Sequence, residues 1–182
     1  MLSAAGRELV RRRYAAVHGA VSRLDYPRYR AVESNGAPRA VLGWRRAAEG
    51  RLFLETYLDA PIEAAVRDAF GRPVARTEIV EIGDHASCSG LATTSLWLET
   101  ARLLSHEAEI GVAVLTAPLR RMFARIGLPL VELAPADPAR LGGTADAWGR
   151  YYDADPIVCA GEIAAGRAVL DGWAATARRE AR

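Results

Sequence analysis

The chain has 182 residues, enough for one domain with a real core and short for two. Hydrophobic residues make up 51% and charged residues 25%, which excludes a disordered chain, and no triplet or sustained heptad supports a collagen-like or coiled-coil reading. The net charge is only +2 and all 24 basic residues are arginine, so a Schiff-base lysine, a phosphate-loop lysine and a dedicated nucleic-acid surface are all excluded.

Two cysteines, Cys88 and Cys159, are too few for a disulfide framework, and their spacing is not that of a zinc site. His18, His85 and His106 form no ligand pair, so no metal is expected. The first twenty residues lack the apolar stretch of a secretory signal and read as an amphipathic surface helix, an arginine-rich transit peptide being the alternative. The longest nearly apolar run, 110–119, is far below the roughly 20 residues of a membrane span. No transmembrane segment is expected, and a cytoplasmic location follows by default.

In chain order, Leu9, Val10, Tyr14 and Val17 recur at helical spacing and predict a helix over 5–19. Residues 20–35 read as irregular. Residues 37–46 and 51–58 read as two strands of a hairpin joined by Ala47-Ala48-Glu49-Gly50. Asp59, Pro61 and Glu63 are start signals for a helix over 59–70, and Gly71 a stop. Residues 74–83 predict a central strand, followed by a polar loop and a helix over about 91–107. A strand over 110–116, a helix from Pro118 to Gly127 and a short strand over 128–134 follow. Residues 135–155 form a long polar connection before a last strand over 156–161 and a helix over 162–178. A single domain over 1–182 is expected, of α/β or α+β class with a mixed sheet.

Four blocks carry a family resemblance: LFLETYLDAPIE at 52–63, RPVARTEIVEIG at 72–83, LPLVELAPADPARLGG at 128–143 and YYDADPIVCAGEI at 151–163. In order and spacing they resemble the thermostable hemolysin family of bacterial proteins, from about Gly43 to Glu162. One departure stands out: that family usually reads G-N-L-A where this chain has Gly83-Asp84-His85-Ala86. The family in turn resembles the GNAT acyltransferase superfamily, nearest to the acyl-homoserine-lactone (autoinducer) synthases. Gly43-Trp44-Arg45 is similar to their G-x-R. The run from Glu81 to Ala86 falls where they carry E-x-S-R-F-x, keeping the glutamate and the small residue two positions on but not the Arg-Phe pair. The resemblance implies a GNAT-like sheet of about six or seven mostly antiparallel strands with helices on both faces. In it, strand 74–83 lies parallel to 110–116 and splays from it at one end. The crossover helix between them calls for the same parallel pairing.

The implied activity is N-acyl transfer from acyl-CoA or acyl carrier protein to a small-molecule amine, with the thioester as co-substrate and no tightly bound cofactor. Glu81 is the candidate general base, because burial near the end of an apolar strand raises a carboxylate toward useful values. The alternative for Glu81 is a strand-end salt bridge with Arg45 or Arg76. Ala86, Ser87, Cys88, Ser89 and Gly90 precede a helix, where free backbone donors could hold the pantetheine arm or its phosphates; Ser87 or Ser89 could equally be a plain N-cap. Arg45 and Arg76 are candidates for a substrate carboxylate. Trp148 and Tyr151, with Tyr152, could wall an acyl-chain tunnel or simply pack on the sheet. Cys88 reads as a bystander thiol, and His18 and His106 as solvated. Two other functions stay open: a membrane-active hemolysin, and a GNAT-like binding protein without catalysis.

Overall fold

The computed structural model describes residues 1–180. Helix α1 (Ala4–His18) starts at Ser3, whose hydroxyl accepts the Gly6 N–H, and ends at the left-handed Gly19. Strands β1 (Arg28–Ser34) and β2 (Ala37–Arg46) form an antiparallel hairpin closed by Asn35-Gly36. Both turn residues have positive φ, 52° and 71°, as the twist-matching two-residue hairpin turn requires.

The hairpin partner of β2 is therefore 28–34 and not 51–58. The latter stretch is a single 3-10 helix, Phe53–Tyr57. Two buried carboxylates explain the difference. Glu55 accepts the N–H groups of Leu52 (2.7 Å) and Ile62 (2.9 Å), and Glu81 those of Phe53 (3.2 Å) and Leu54 (2.8 Å). Donors that a strand would give to a ladder are already used. The buried Leu52, Leu54 and Tyr57 satisfy the apolar pattern from a helical turn instead.

Helix α2 (Ile62–Phe70) ends at Gly71. Strand β3 (Ile79–Ser87) begins later than 74, because Arg76–Glu78 is a 3-10 turn closed by Glu78 accepting the Ala75 N–H. It also runs four residues beyond Gly83. Helix α3 (Gly90–Leu104), strand β4 (Ile110–Leu115), helix α4 (Ala117–Arg125) and strand β5 (Val131–Pro135) follow. The connection to β6 (Ile157–Glu162) holds 3-10 turns at Pro138–Trp148, kinked at Gly142, and at Tyr152–Ala154; helix α5 (Ile163–Glu180) is last.

The six strands form one sheet in the order β1-β2-β3-β4-β6-β5. Every neighbouring pair is antiparallel except β3 and β4, which are parallel, as a helical crossover through α3 requires. One face, with Ile79, Ile110 and Val112, buries Ile62 and Val66 of α2, and further along packs Val41 and Ala86 on Leu9 and Val10 of α1. The other face, with Val80, Ile82 and Ala113, buries Leu96 of α3, Phe123 of α4 and Ile163 of α5.

Two irregularities position the site. The β3–β4 ladder runs from Ile79↔Ile110 to Ile82↔Ala113 and then stops, after which β3 pairs only with β2 and β4 only with β6. Just past that point β3 bulges. Gly43 pairs with Gly83 and Val41 with Ala86, so Asp84 and His85 together oppose Leu42, and Asp84 takes φ +48°. Asp84 turns toward Ser22 and Tyr29, and His85 toward Trp97 of α3.

Candidate functional site

A cavity of roughly 600 Å³ opens where β3 and β4 part. Glu81, Gly83, Asp84 and His85 line it from β3, and Ala113, Val114 and Leu115 from β4. Glu81 is 1% exposed. Its carboxylate accepts the two N–H groups at the start of the 53–57 turn and stands 3.5 Å from Arg45 Nε. Burial pushes its pKa up, against the lowering pull of those hydrogen bonds and of Arg45. Arg45 also lines the cavity, held by a 2.6 Å bond from Nη2 to the Asp25 carbonyl and by the Tyr26 ring, 4.9 Å from its guanidinium carbon. Of the two pairings open to Glu81, the structure contains the one with Arg45.

Arg76 lies elsewhere. It binds Glu55 and Glu63 and the carbonyls of Ala47 and Gly50, a clamp that holds Glu55 down at about 2. The run Ala86 to Gly90 divides in the same way. Ala86 is buried against α1, and Ser89 caps α3 by accepting the Ala92 N–H. None of the five lines the cavity, whereas Asp84 and His85 just before them do. Cys88 is exposed; Cys159 is buried, and burial pushes its thiol up to about 12.

Trp148 and Tyr151 form the wall opposite β3. Trp148 stacks on Phe53 at 5.5 Å, and Tyr151 meets His18 edge-on at 5.1 Å. Tyr152 stands outside this wall, its hydroxyl 2.6 Å from that of Tyr57. His18 is thus half-buried, with its pKa lowered by burial and by Arg150 and Arg13, and is not the solvated residue expected on a surface helix. His106, just beyond α3, is exposed. Two backbone bonds fasten the wall to the end of α1: Val21 N–H to the Ala147 carbonyl (3.0 Å) and Arg150 N–H to the His18 carbonyl (2.7 Å).

Several cavity residues carry no local sequence signal. Asp84 accepts hydrogen bonds from Ser22 (3.0 Å) and Tyr29 (2.7 Å), and burial raises its pKa. Tyr26 lies across Gly43 and Gly83, where an added Cβ on either glycine would strike its side chain. The glycines of two strands thereby make room for one aromatic ring. The only available hint was the tyrosine-rich segment 26–29 itself.

Chemically, the site offers a desolvated carboxylate beside a roomy, aromatic-walled space and a gap between parallel strands, enough to hold an extended ligand and take a proton from it. Among the described residues no group of three or more His, Cys, Asp or Glu is placed to hold a metal, and no helix is long and apolar enough to cross a membrane.

Known structures share this architecture. TofI in its apo form is 18% identical, with a TM-score of 0.62 over 94% of this chain and 91% of its own. FeeM, an N-acyl amino acid synthase from uncultured soil microbes, is 14% identical, with a TM-score of 0.59 over 90% and 92%. MesI, a CoA-dependent acyl-homoserine lactone synthase, is 18% identical, with a TM-score of 0.52 over 90% and 84%. The sheet with its parted parallel strands is thus the GNAT-like fold of acyl-homoserine-lactone synthases. No curated protein matches the chain in sequence. The thermostable hemolysin family model matches residues 2–167, nearly the whole length, and the chain belongs to that family.

Proposed function

We propose that the protein is an N-acyltransferase, moving an acyl group from the thioester of CoA or acyl carrier protein to the nitrogen of a small amine. The observation that carries the reading is the desolvated Glu81 carboxylate in a cavity formed by the parting of two parallel strands. The activities named for two fold relatives, synthesis of N-acyl amino acids and of acyl-homoserine lactones, support it. The amine nitrogen attacks the thioester carbonyl, the C–N bond forms, the C–S bond breaks and the sulfur leaves as a thiolate, which then takes up the proton that Glu81 received. Glu81 takes the proton the amine gives up. Arg45 keeps the carboxylate oriented, and Trp148 and Tyr151 keep water from the reacting atoms.

The acyl chain has a direction to run. A second, apolar cavity of roughly 70 Å³ lies under α3, α4 and α5, and Ile82, Trp97, Ala113 and Leu115 belong to the walls of both. On this reading the donor lies in the strand gap with its tail toward that second space, and the protein works in the cytoplasm beside its thioester donors.

Incubating the purified protein with hexanoyl-CoA, or with hexanoyl carrier protein, and a panel of amines, while following thiol release and amide mass, tests the reading. Amine-dependent thiol release is the expected result. A well-folded protein that gives none with either donor overturns it; lysis of lipid vesicles by that same protein would favour the hemolysin reading.

A further inference from the structure

Tyr26 carries a hydroxyl that the acyl-transfer reading does not use. Its ring lies across two paired glycines, Gly43 on β2 and Gly83 on β3. A Cβ added to Gly43 would meet the near end of the side chain, Tyr26 Cβ and Cγ, at 2.7 and 2.9 Å; one added to Gly83 would meet the far end, the hydroxyl. The side chain therefore crosses from β2 to β3 with its hydroxyl leading. β4 lies on the far side of β3, and the β3–β4 ladder ends at Ile82↔Ala113, one residue before Gly83. The hydroxyl thus stands over β3 where the strand gap opens, and both Tyr26 and Gly83 line the main cavity.

The oxygen is both unpaired and open. It has no hydrogen-bond partner among the described residues, and it is not one of the unpartnered atoms sealed from solvent. The two carboxylates on that stretch of β3 are already engaged: Glu81 accepts from Phe53 and Leu54, and Asp84 from Ser22 and Tyr29. The residue is also held still. Its N–H donates to the Tyr29 hydroxyl at 3.1 Å, the Arg45 guanidinium carbon lies 4.9 Å from its ring centre, and the two glycines floor it. Burial, with Glu81 and Asp84 close by, pushes its pKa well up, so the phenol stays protonated and offers a donor at every working pH. Such a group cannot take the amine's proton, but it can meet negative charge.

Resting on the acyl-transfer reading, we propose that Tyr26 is a second catalytic residue, whose hydroxyl donates a hydrogen bond to the thioester carbonyl oxygen. As the amine nitrogen attacks, the C=O pair moves onto that oxygen; when the tetrahedral intermediate collapses, the pair returns and the sulfur is expelled. Tyr26 keeps its own proton throughout and holds the charge while it lasts. Glu81 and Gly83 share a face of β3, two residues apart, so base and donor flank the carbon under attack. A donor fixed in place before the reaction, in a site shielded from water, stabilises such charge without reorganising.

Steady-state kinetics of Tyr26→Phe test this, because phenylalanine keeps the ring over the glycines and removes only the oxygen. The expected result is a kcat about a hundredfold to a thousandfold lower, with the KM of donor and of amine each within about threefold. Infrared spectra of bound hexanoyl-CoA, isotopically labelled at its carbonyl, give a readout apart from turnover. The C=O stretch should lie lower on the unmodified protein than in solution, and should return toward the solution value on Tyr26→Phe. An unchanged kcat overturns the assignment. So does a raised KM for the amine at unchanged kcat, which would place Tyr26 in the acceptor's binding site instead. A carbonyl stretch at its solution frequency on the unmodified protein overturns it too, whether or not the variant folds. In these three cases acyl transfer itself stands. An unmodified protein that transfers no acyl group to any amine overturns the assignment together with acyl transfer.

Discussion

At the scale of single residues, two buried side chains set opposite demands on protons. If Glu81 takes the amine proton, Glu81→Gln should lower kcat by about two to four orders of magnitude with donor affinity kept. The base must be ionised, and its pKa is raised, so the acid limb of the kcat/KM profile should lie above 4.5 and vanish in the variant. Steady-state rates across pH measure both, and a fully active Glu81→Gln would remove it from the mechanism. The variant also leaves one of the two N–H groups of Phe53 and Leu54 without an acceptor, at a cost of about 1–3 kcal/mol in stability. His85 acts on the fold itself. Its pKa falls from 6.5 in the unfolded chain to about 4, so the neutral ring favours the folded state. That stability is complete above about pH 6.5 and is lost as the pH falls toward 4, on the order of 3 kcal/mol. Glu81 and Asp84 have raised values, so acid favours the fold through them. The stability of the protein relative to that of His85→Phe should therefore fall, on the order of 3 kcal/mol, between pH 7 and 4 in unfolding curves; a difference that does not change with pH would show that His85 does not titrate this way.

At the scale of elements, the β1–β2 hairpin and the glycine pair under Tyr26 can be tested separately. Gly36→Ala places an L side chain at φ +71° and should cost about 1 kcal/mol in denaturant unfolding, with no change in kcat. Gly83→Ala should cost more, because its Cβ meets the Tyr26 ring, and less in a Tyr26→Ala background; additive effects in that double-mutant cycle would refute the contact. The parallel pair β3–β4 was legible because a helical stretch between two apolar runs leaves few other topologies. The Asn35-Gly36 signal was also present, but β1 is a polar edge strand, RYRAVES, with little periodicity to mark it. The alternation at 51–58 misled because it is equally the pattern of a short turn whose donors end on carboxylates from distant positions. The site divides along the same line. Glu81, Arg45, Trp148 and Tyr151 do come together around one cavity, while Arg76 and the run Ala86–Gly90 stand apart from it. Asp84 meets Ser22 and Tyr29, and Tyr26 meets the glycines, only through tertiary packing, and no local period encodes that.

At the scale of the whole molecule, the cavity is a closure between distant parts of the chain. The α1 end and the 144–151 segment share two backbone bonds and a cluster of rings, and these form one wall. The amides of Val21 and Arg150 are each held by one of these bonds, so if the bonds open together their hydrogen-exchange protection factors should match. A saturating acyl thioester should slow both together. Unequal protection factors, or slowing of only one amide, would mean that the two bonds open independently.

On the ribosome, the carbonyl of His18 is made long before the amide of Arg150 that it binds, a delay on the order of ten seconds at ordinary rates of translation. Through that interval Tyr14 and His18 lack the rings of Trp148 and Tyr151 that later pack on them. The nascent chain therefore holds the strand of Glu81 before it holds a closed cavity, and under the proposed acyl transfer it would discharge no thioester until the C-terminal third has emerged and docked.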